Sequence, residues 1–235
     1  MYTKITEDLK DLIVPGKKVI LQRFFKTGPG EYGEGDTFIG VTMPNIRKVS
    51  KRYTRESTLE DIEQLLRSGV HEYRMTALIL LVNKFEKTVD KNEKENYVSY
   101  YLDHVKYIDN WDLVDVTCYK ILGPWLYTRD RTVLYELAKT DHLWSQRIAM
   151  ITTMFFIREH DYTDTLRLSD ILLEHPHDLI HKAVGWMLRE VGNRDPKTER
   201  SFLATRYERM PRTMLRYAIE KFPETERRAY LHGKI

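Results

Sequence analysis

Cysteine is nearly absent from this chain of 235 residues: Cys118 is the only one. A single thiol excludes an intramolecular disulfide framework and a cysteine-based zinc finger, and it fits a reducing, cytoplasmic setting. Long apolar runs are missing as well. None approaches the roughly 18–20 residues that span a bilayer. The stretch from Met1 to Lys10 is polar and carries Glu7 and Asp8, so it does not read as a signal peptide. Charge of one sign does not dominate: 38 Lys and Arg against 35 Asp and Glu leave +3, which neither demands nor excludes a nucleic-acid partner. Several signatures of chemistry are also lacking. There is no Gly-Lys-Ser/Thr phosphate loop, no HExxH and no Gly-x-Ser-x-Gly elbow. His175, His177 and His181 lie close together, but without a partnered acidic ligand pattern they do not indicate zinc.

What is present is helix. In Val70 to Lys87 the apolar residues Val70, Tyr73, Ala77, Leu80, Leu81 and Phe85 recur every three or four positions, which predicts a helix with one buried stripe. Residues 96–107, 112–122, 143–158, 163–173 and 179–191 read the same way. Thr58 with Asp61 forms a capping-box pattern, and Pro44 suits a first helical position. Gly69, Gly192–Asn193 and Pro176 mark stops. Helix pairs recur about every 35–45 residues, the period of HEAT-type repeats. The expected architecture is therefore all-α, a curved solenoid of antiparallel helix pairs forming one domain over residues 1–235. An irregular helical bundle is the alternative. One stretch breaks the pattern. Thr27 to Asp36 holds four of the eleven glycines and predicts a short hairpin or loop near residues 27–40, where one backbone can approach another closely.

Charge is clustered even though its sum is small. Arg47, Lys51 and Arg55 are spaced i, i+4, i+8 on one face, with Lys48 and Arg52 beside them. A second group runs from Arg194 to Arg216, diluted by Asp195, Glu199 and Glu208. Each is either a solvated helix face or a surface that tracks a duplex backbone through phosphates. Of the four tryptophans, Trp111 and Asp115 are i, i+4 and project from the same side of a helix start, and Trp144 and Arg147 are i, i+3. Trp186 lies in Lys182-Ala183-Val184-Gly185-Trp186-Met187-Leu188-Arg189. Tryptophans on helices are usually core. A polar–aromatic cleft is the other reading.

These segments, taken in order, carry a resemblance. Arg23 to Asp36, Phe38-Ile39-Gly40-Val41 with Pro44 and Arg47, Asn110-Trp111-Asp112-Leu113-Val114-Asp115, Trp144-Ser145-Gln146-Arg147 and Lys182 to Glu190 are similar to the AlkD-type DNA alkylation-repair family. That family comprises HEAT-like-repeat DNA glycosylases and their DNA-binding relatives. The resemblance implies removal of cationic N3- and N7-alkylpurines from duplex DNA, without a metal or organic cofactor and without drawing the base into a pocket. It places Trp111, Asp115, Arg147 and Trp186 in the catalytic cleft. It places Phe24 and Thr42 at DNA-contacting positions where the archetype has tyrosine and glutamine. It also implies that the Gly-rich segment, with Gly30 and Tyr32, contacts DNA as it does in relatives that bind DNA without clear glycosylase activity. Arg47, Lys48 and Lys51 would meet phosphates. The expected partner is duplex DNA, alkylated or branched, bound by a monomer in the cytoplasm at the nucleoid. A non-catalytic binder of branched or distorted DNA is the second expectation, and a helical scaffold without a nucleic-acid role the third.

Overall fold

Helical periodicity with capped ends dominates the backbone of the computed structural model, which describes residues 1–235. Fifteen α-helices and two single 3-10 turns account for the regular structure, and no strand forms. No helix is long and apolar enough to cross a membrane. The contacts group into two compact units, Met1–Thr117 and Cys118–Ile235.

In the first unit, α1 (Tyr2–Lys10), α2 (Lys17–Phe24), α3 (Met43–Tyr53) and α4 (Leu59–Leu66) precede the central α5 (His71–Lys87). Then come α6 (Lys91–Asp103), a 3-10 turn at Val105–Tyr107 and the short α7 (Trp111–Asp115). Helix α5 packs against α3, α4, α6 and α7. It is buried on nearly every side rather than along one stripe, because four neighbours surround it. The capping box forms as expected: Thr58 accepts from the Asp61 amide, and the Asp61 carboxylate accepts from Thr58 N at 2.9 Å. Helix α2 is the exception to burial. None of its residues is buried, and Val19, Ile20 and Phe24 stand in solvent.

The second unit holds α8 (Cys118–Leu126), α9 (Thr132–Lys139), α10 (Leu143–Arg158), α11 (Thr163–Ile171), α12 (Asp178–Gly192), α13 (Pro196–Ala204), α14 (Arg212–Ala218) and α15 (Glu224–Leu231), with a 3-10 turn at Ile219–Lys221. Helices α10 and α12 form its spine: α8, α9, α11 and α12 pack on α10, and α13 and α14 on α12. The histidine cluster serves the start of α12. His177 Nδ1 accepts from Leu179 N at 3.1 Å, His175 Nδ1 accepts from His177 N, and His181 Nε2 bonds the His175 carbonyl. Burial, with neighbouring positive charge, holds His175 and His177 below the usual imidazole pKa.

One expected helix is two. Residues 112–122 break at Val116–Thr117, where the boundary between the units also falls. The Thr117 hydroxyl bonds the Leu113 carbonyl at 2.5 Å and faces Tyr101 Oη at 3.0 Å. Such side-chain competition for the backbone favours a helix end or bend.

Candidate functional site

The Gly-rich segment is a loop of successive tight turns, not a hairpin ladder. Glu31 N bonds Gly28 O, Glu34 N bonds Glu31 O, and Asp36 N bonds Gly33 O. Gly33 is needed because a Cβ there would lie 2.4 Å from the Phe25 carbonyl oxygen. The loop satisfies its own acids: Glu31 accepts from Gly28 N at 3.0 Å and Glu34 from Gly30 N at 2.8 Å. Gly30 is exposed and Tyr32 half-buried, with the Lys26 ammonium 6.0 Å from its ring centroid.

The loop's far end is locked to α5. Asp36 Oδ2 meets His71 Nδ1 at 2.6 Å, and Asp112 Oδ2 meets His71 Nε2 at 2.9 Å. Arg74 pairs with Asp36 at 2.7 Å and also with Asp109. Asn110, fully buried, donates to Asp36 at 3.2 Å and accepts from Trp111 N at 2.8 Å. Glu72 receives the backbone N–H groups of Ile39, Gly40 and Val41 at 2.7–3.2 Å. A carboxylate against both ring nitrogens requires both to donate, so His71 is an imidazolium. Burial opposes that charge, but the attraction of Asp112 and Asp36 outweighs it and holds the pKa up at about 9. Burial likewise pushes Asp36 upward, yet His71 and Arg74 keep it below the usual carboxylate range.

An aromatic stack rises from this charged base. His71 lies under Phe38 at 4.4 Å and beside Phe25 at 5.0 Å between centroids. Phe25 stacks on Trp111 at 5.2 Å, and Phe24 meets Trp111 edge-on at 5.9 Å. Together with Thr42, Pro44 and the inner side of α2, these rings line a groove of about 590 Å³. Thr42 is the residue that precedes α3, whose outer surface carries Arg47, Lys48 and Lys51 exposed. Trp111 and Asp115 share α7, one turn apart and both half-buried.

The first unit therefore brings Phe24, Thr42 and Trp111 to one groove, with Asp115 on the helix that forms its wall. The other two residues that the resemblance singles out, Arg147 and Trp186, belong to the second unit. Arg147 on α10 is only 5% exposed and donates to the Leu179 carbonyl of α12. Trp186 on α12 is half-buried, and its Nε1 donates to Glu190 at 3.3 Å. Glu190 in turn pairs with Arg194 at 2.9 Å. Sequence reading missed the roles of Asp36, His71, Glu72, Arg74 and Asp112. One signal was available: His71, Glu72 and Arg74 place three ionisable groups at the start of a helix that is otherwise apolar, and buried charges must be paired.

Fold and site define a helical-repeat protein whose first unit joins a basic helix surface to an aromatic groove. The chain belongs to the DNA alkylation repair enzyme family, whose model matches residues 5–222. No curated protein is significantly similar to it in sequence. Among solved structures it is similar to a predicted DNA alkylation repair enzyme from Enterococcus faecalis, at 16% identity and a TM-score of 0.68, covering 90% of this chain and 97% of that one. It is also similar to AlkD2 from Streptococcus mutans, at 18% identity and a TM-score of 0.58, covering 95% and 97%. At these identities the likeness establishes the fold.

Proposed function

We propose that the protein binds duplex DNA and hydrolyses the N-glycosidic bond of cationic N3- and N7-alkylpurine nucleotides. The observation that carries this reading is α7. It presents Trp111 and Asp115 from one short helix, and Asn110, Asp112 and the His71 ion pairs fix that helix in place.

The chemistry asks little of the protein. An alkylated purine carries a positive charge, so it leaves with the bonding electron pair as a neutral base and needs no strong general acid. As the bond from C1′ to the purine nitrogen breaks, positive charge grows on the deoxyribose, as in glycoside hydrolysis. The Asp115 carboxylate stabilises that charge and takes a proton from the water whose oxygen bonds C1′. The Trp111 ring offers its electron-rich face to the same cation. The basic side chains of α3 hold phosphates and set the register of the duplex. Arg147 is assigned to positioning through α12, since its guanidinium is committed to the Leu179 carbonyl. No lysine in the matched motifs is placed for a Schiff base, so the strand stays intact.

The test is release of 7-methylguanine and 3-methyladenine from methylated duplex DNA. The wild type should release base, and Asp115→Asn should slow it by about 100-fold or more while DNA affinity holds. A second reading, a non-catalytic binder of distorted DNA, draws on the ordered Gly-rich loop, which presents Pro29 and Gly30 to solvent. A folded wild type that binds DNA and releases no base would select it.

A further inference from the structure

Both ends of the Gly-rich loop reach α7. At its start the chain leaves α2 through Phe25, a buried ring that stacks on Trp111 at 5.2 Å between centroids. Lys26 then turns the backbone sharply with a φ of 52°, a left-handed conformation that lysine rarely adopts and that persists only where its surroundings impose it. The turn folds the loop back over Phe25. Gly33 N donates to the Lys26 carbonyl at 3.1 Å, and Gly33 lies so close to the Phe25 carbonyl that no side chain fits between them. At the far end stands Asp36, whose side chain is 5% exposed. Its Oδ2 accepts from Asn110 at 3.2 Å and from His71 Nδ1 at 2.6 Å. Asn110 caps α7 at Trp111 N, and the other ring nitrogen of His71 donates to Asp112 within α7. The next residue, Thr37, fixes Asp36 from the backbone. Its N–H bonds the Gly69 carbonyl at 3.2 Å, and its carbonyl accepts from His71 N at 2.8 Å.

We infer that the Gly-rich loop is a clamp on α7, and that Asp36 is a positioning residue that sets Trp111 and Asp115 in place for the reaction. The inference rests on the hydrolysis reading above and adds a part for the loop that is independent of any contact between the loop and DNA. A helix of five residues does not hold itself, because nucleation costs more than so few bonds return. Its position must be supplied from outside. The loop grips three consecutive residues at its start: Asn110 directly through Asp36, Trp111 through Phe25, and Asp112 through His71. Asp36 is itself held by two buried cations, His71 and Arg74, the latter at 2.7 Å, and charge-assisted bonds are the strong ones. A misplacement of about 1 Å at a reacting group costs about 100-fold in rate. Loosening at Asp36 therefore reads out at Asp115, one turn beyond Trp111, and not in the hold on phosphates assigned to α3.

Two variants of the full chain loosen the clamp from opposite ends. Asp36→Asn removes the carboxylate, and Gly33→Ala places a Cβ 2.4 Å from the Phe25 carbonyl oxygen. Neither residue belongs to α7. Gly33→Ala leaves every buried charge pair in place, so the test survives if Asp36→Asn does not fold. Hydrogen–deuterium exchange at one fixed pH, read by mass spectrometry, should speed up about tenfold over residues 109–117 in both variants, the effect of losing one charge-assisted hydrogen bond, while α4 keeps its protection. In base release from methylated duplex DNA, kcat should fall about tenfold or more while KM holds. Unchanged exchange over 109–117 in both variants overturns the inference. So does loosening of α4 and α7 together, which makes the loop a part of the general fold, and so does a loosened α7 with kcat intact. A wild type that releases no base removes the hydrolysis reading instead, and the exchange of 109–117 then decides alone whether the loop clamps α7.

Discussion

His71 concentrates more of the first unit's organisation than any other side chain. It is 3% exposed and charged, and it ties Asp36 of the Gly-rich loop to Asp112 of α7. Arg74 and Asp109 extend the network, and Glu72 beside it is occupied by backbone amides. Its folded pKa of about 9 lies above the ordinary imidazole value, so the folded state binds this proton more tightly than the unfolded one. The contribution is complete below about pH 6.5 and vanishes as the pH rises through 9. It is on the order of 3 kcal/mol. Urea unfolding of the wild type should therefore show stability falling from pH 7 to 10. His71→Gln should be less stable at pH 6 and lack that fall. Parallel pH curves for the two proteins would refute the imidazolium assignment.

At the scale of the element, close approach decides more than propensity. In the second unit α14 lies so near α12 that a Cβ on Gly185 would sit 2.4 Å from Met214 O and 2.5 Å from Tyr217 Cβ. Alanine is the better helix former, yet here it forces the two helices apart. Gly185→Ala should destabilise the protein by about 1–3 kcal/mol, the cost of overpacking. Gly69→Ala, where the added carbon meets nothing within 4 Å, is the control and should change thermal stability little. Equal melting temperatures for the two variants would mean that α14 yields freely. The same scale explains α7. Its five residues cannot sustain a helix alone, and Asn110, Thr117 and the stacked Phe25 hold it.

At the scale of the whole molecule the net charge of +3 conceals its arrangement. Residues 12–30 and 37–55, which supply α2 and α3, carry no acidic side chain, while the C-terminal arginines are largely spent. Arg200 pairs with Glu226, Arg206 with Asp170 and Arg209 with Glu174. The basic face of α3 is therefore the one expected to release counterions from DNA. Replacing Arg47 and Lys51 together by alanine should flatten the slope of log affinity against log salt by about 2. An unchanged slope would return this face to solvent.

Much of this was legible in the residues, because it is local. The period of Leu143 to Arg158 gave α10 its bounds, Thr58 and Asp61 gave α4 its start, and the i, i+4 spacing put Arg47 and Lys51 on one face of α3, which ends at Tyr53 before Arg55. Each of these depends on neighbours within a turn or two. The family resemblance likewise rested on short motifs, and the match over residues 5–222 bears it out. Other features were decided only by the tertiary structure. His71 finds its carboxylates 35 and 41 positions away, Arg147 finds its acceptor 32 positions away, and α5 is buried all round because four helices surround it. Spacing along one helix says which side chains share a face. Which distant carboxylate, ring or carbonyl meets that face is fixed by packing, where a buried charge persists only if its partner arrives from elsewhere in the chain.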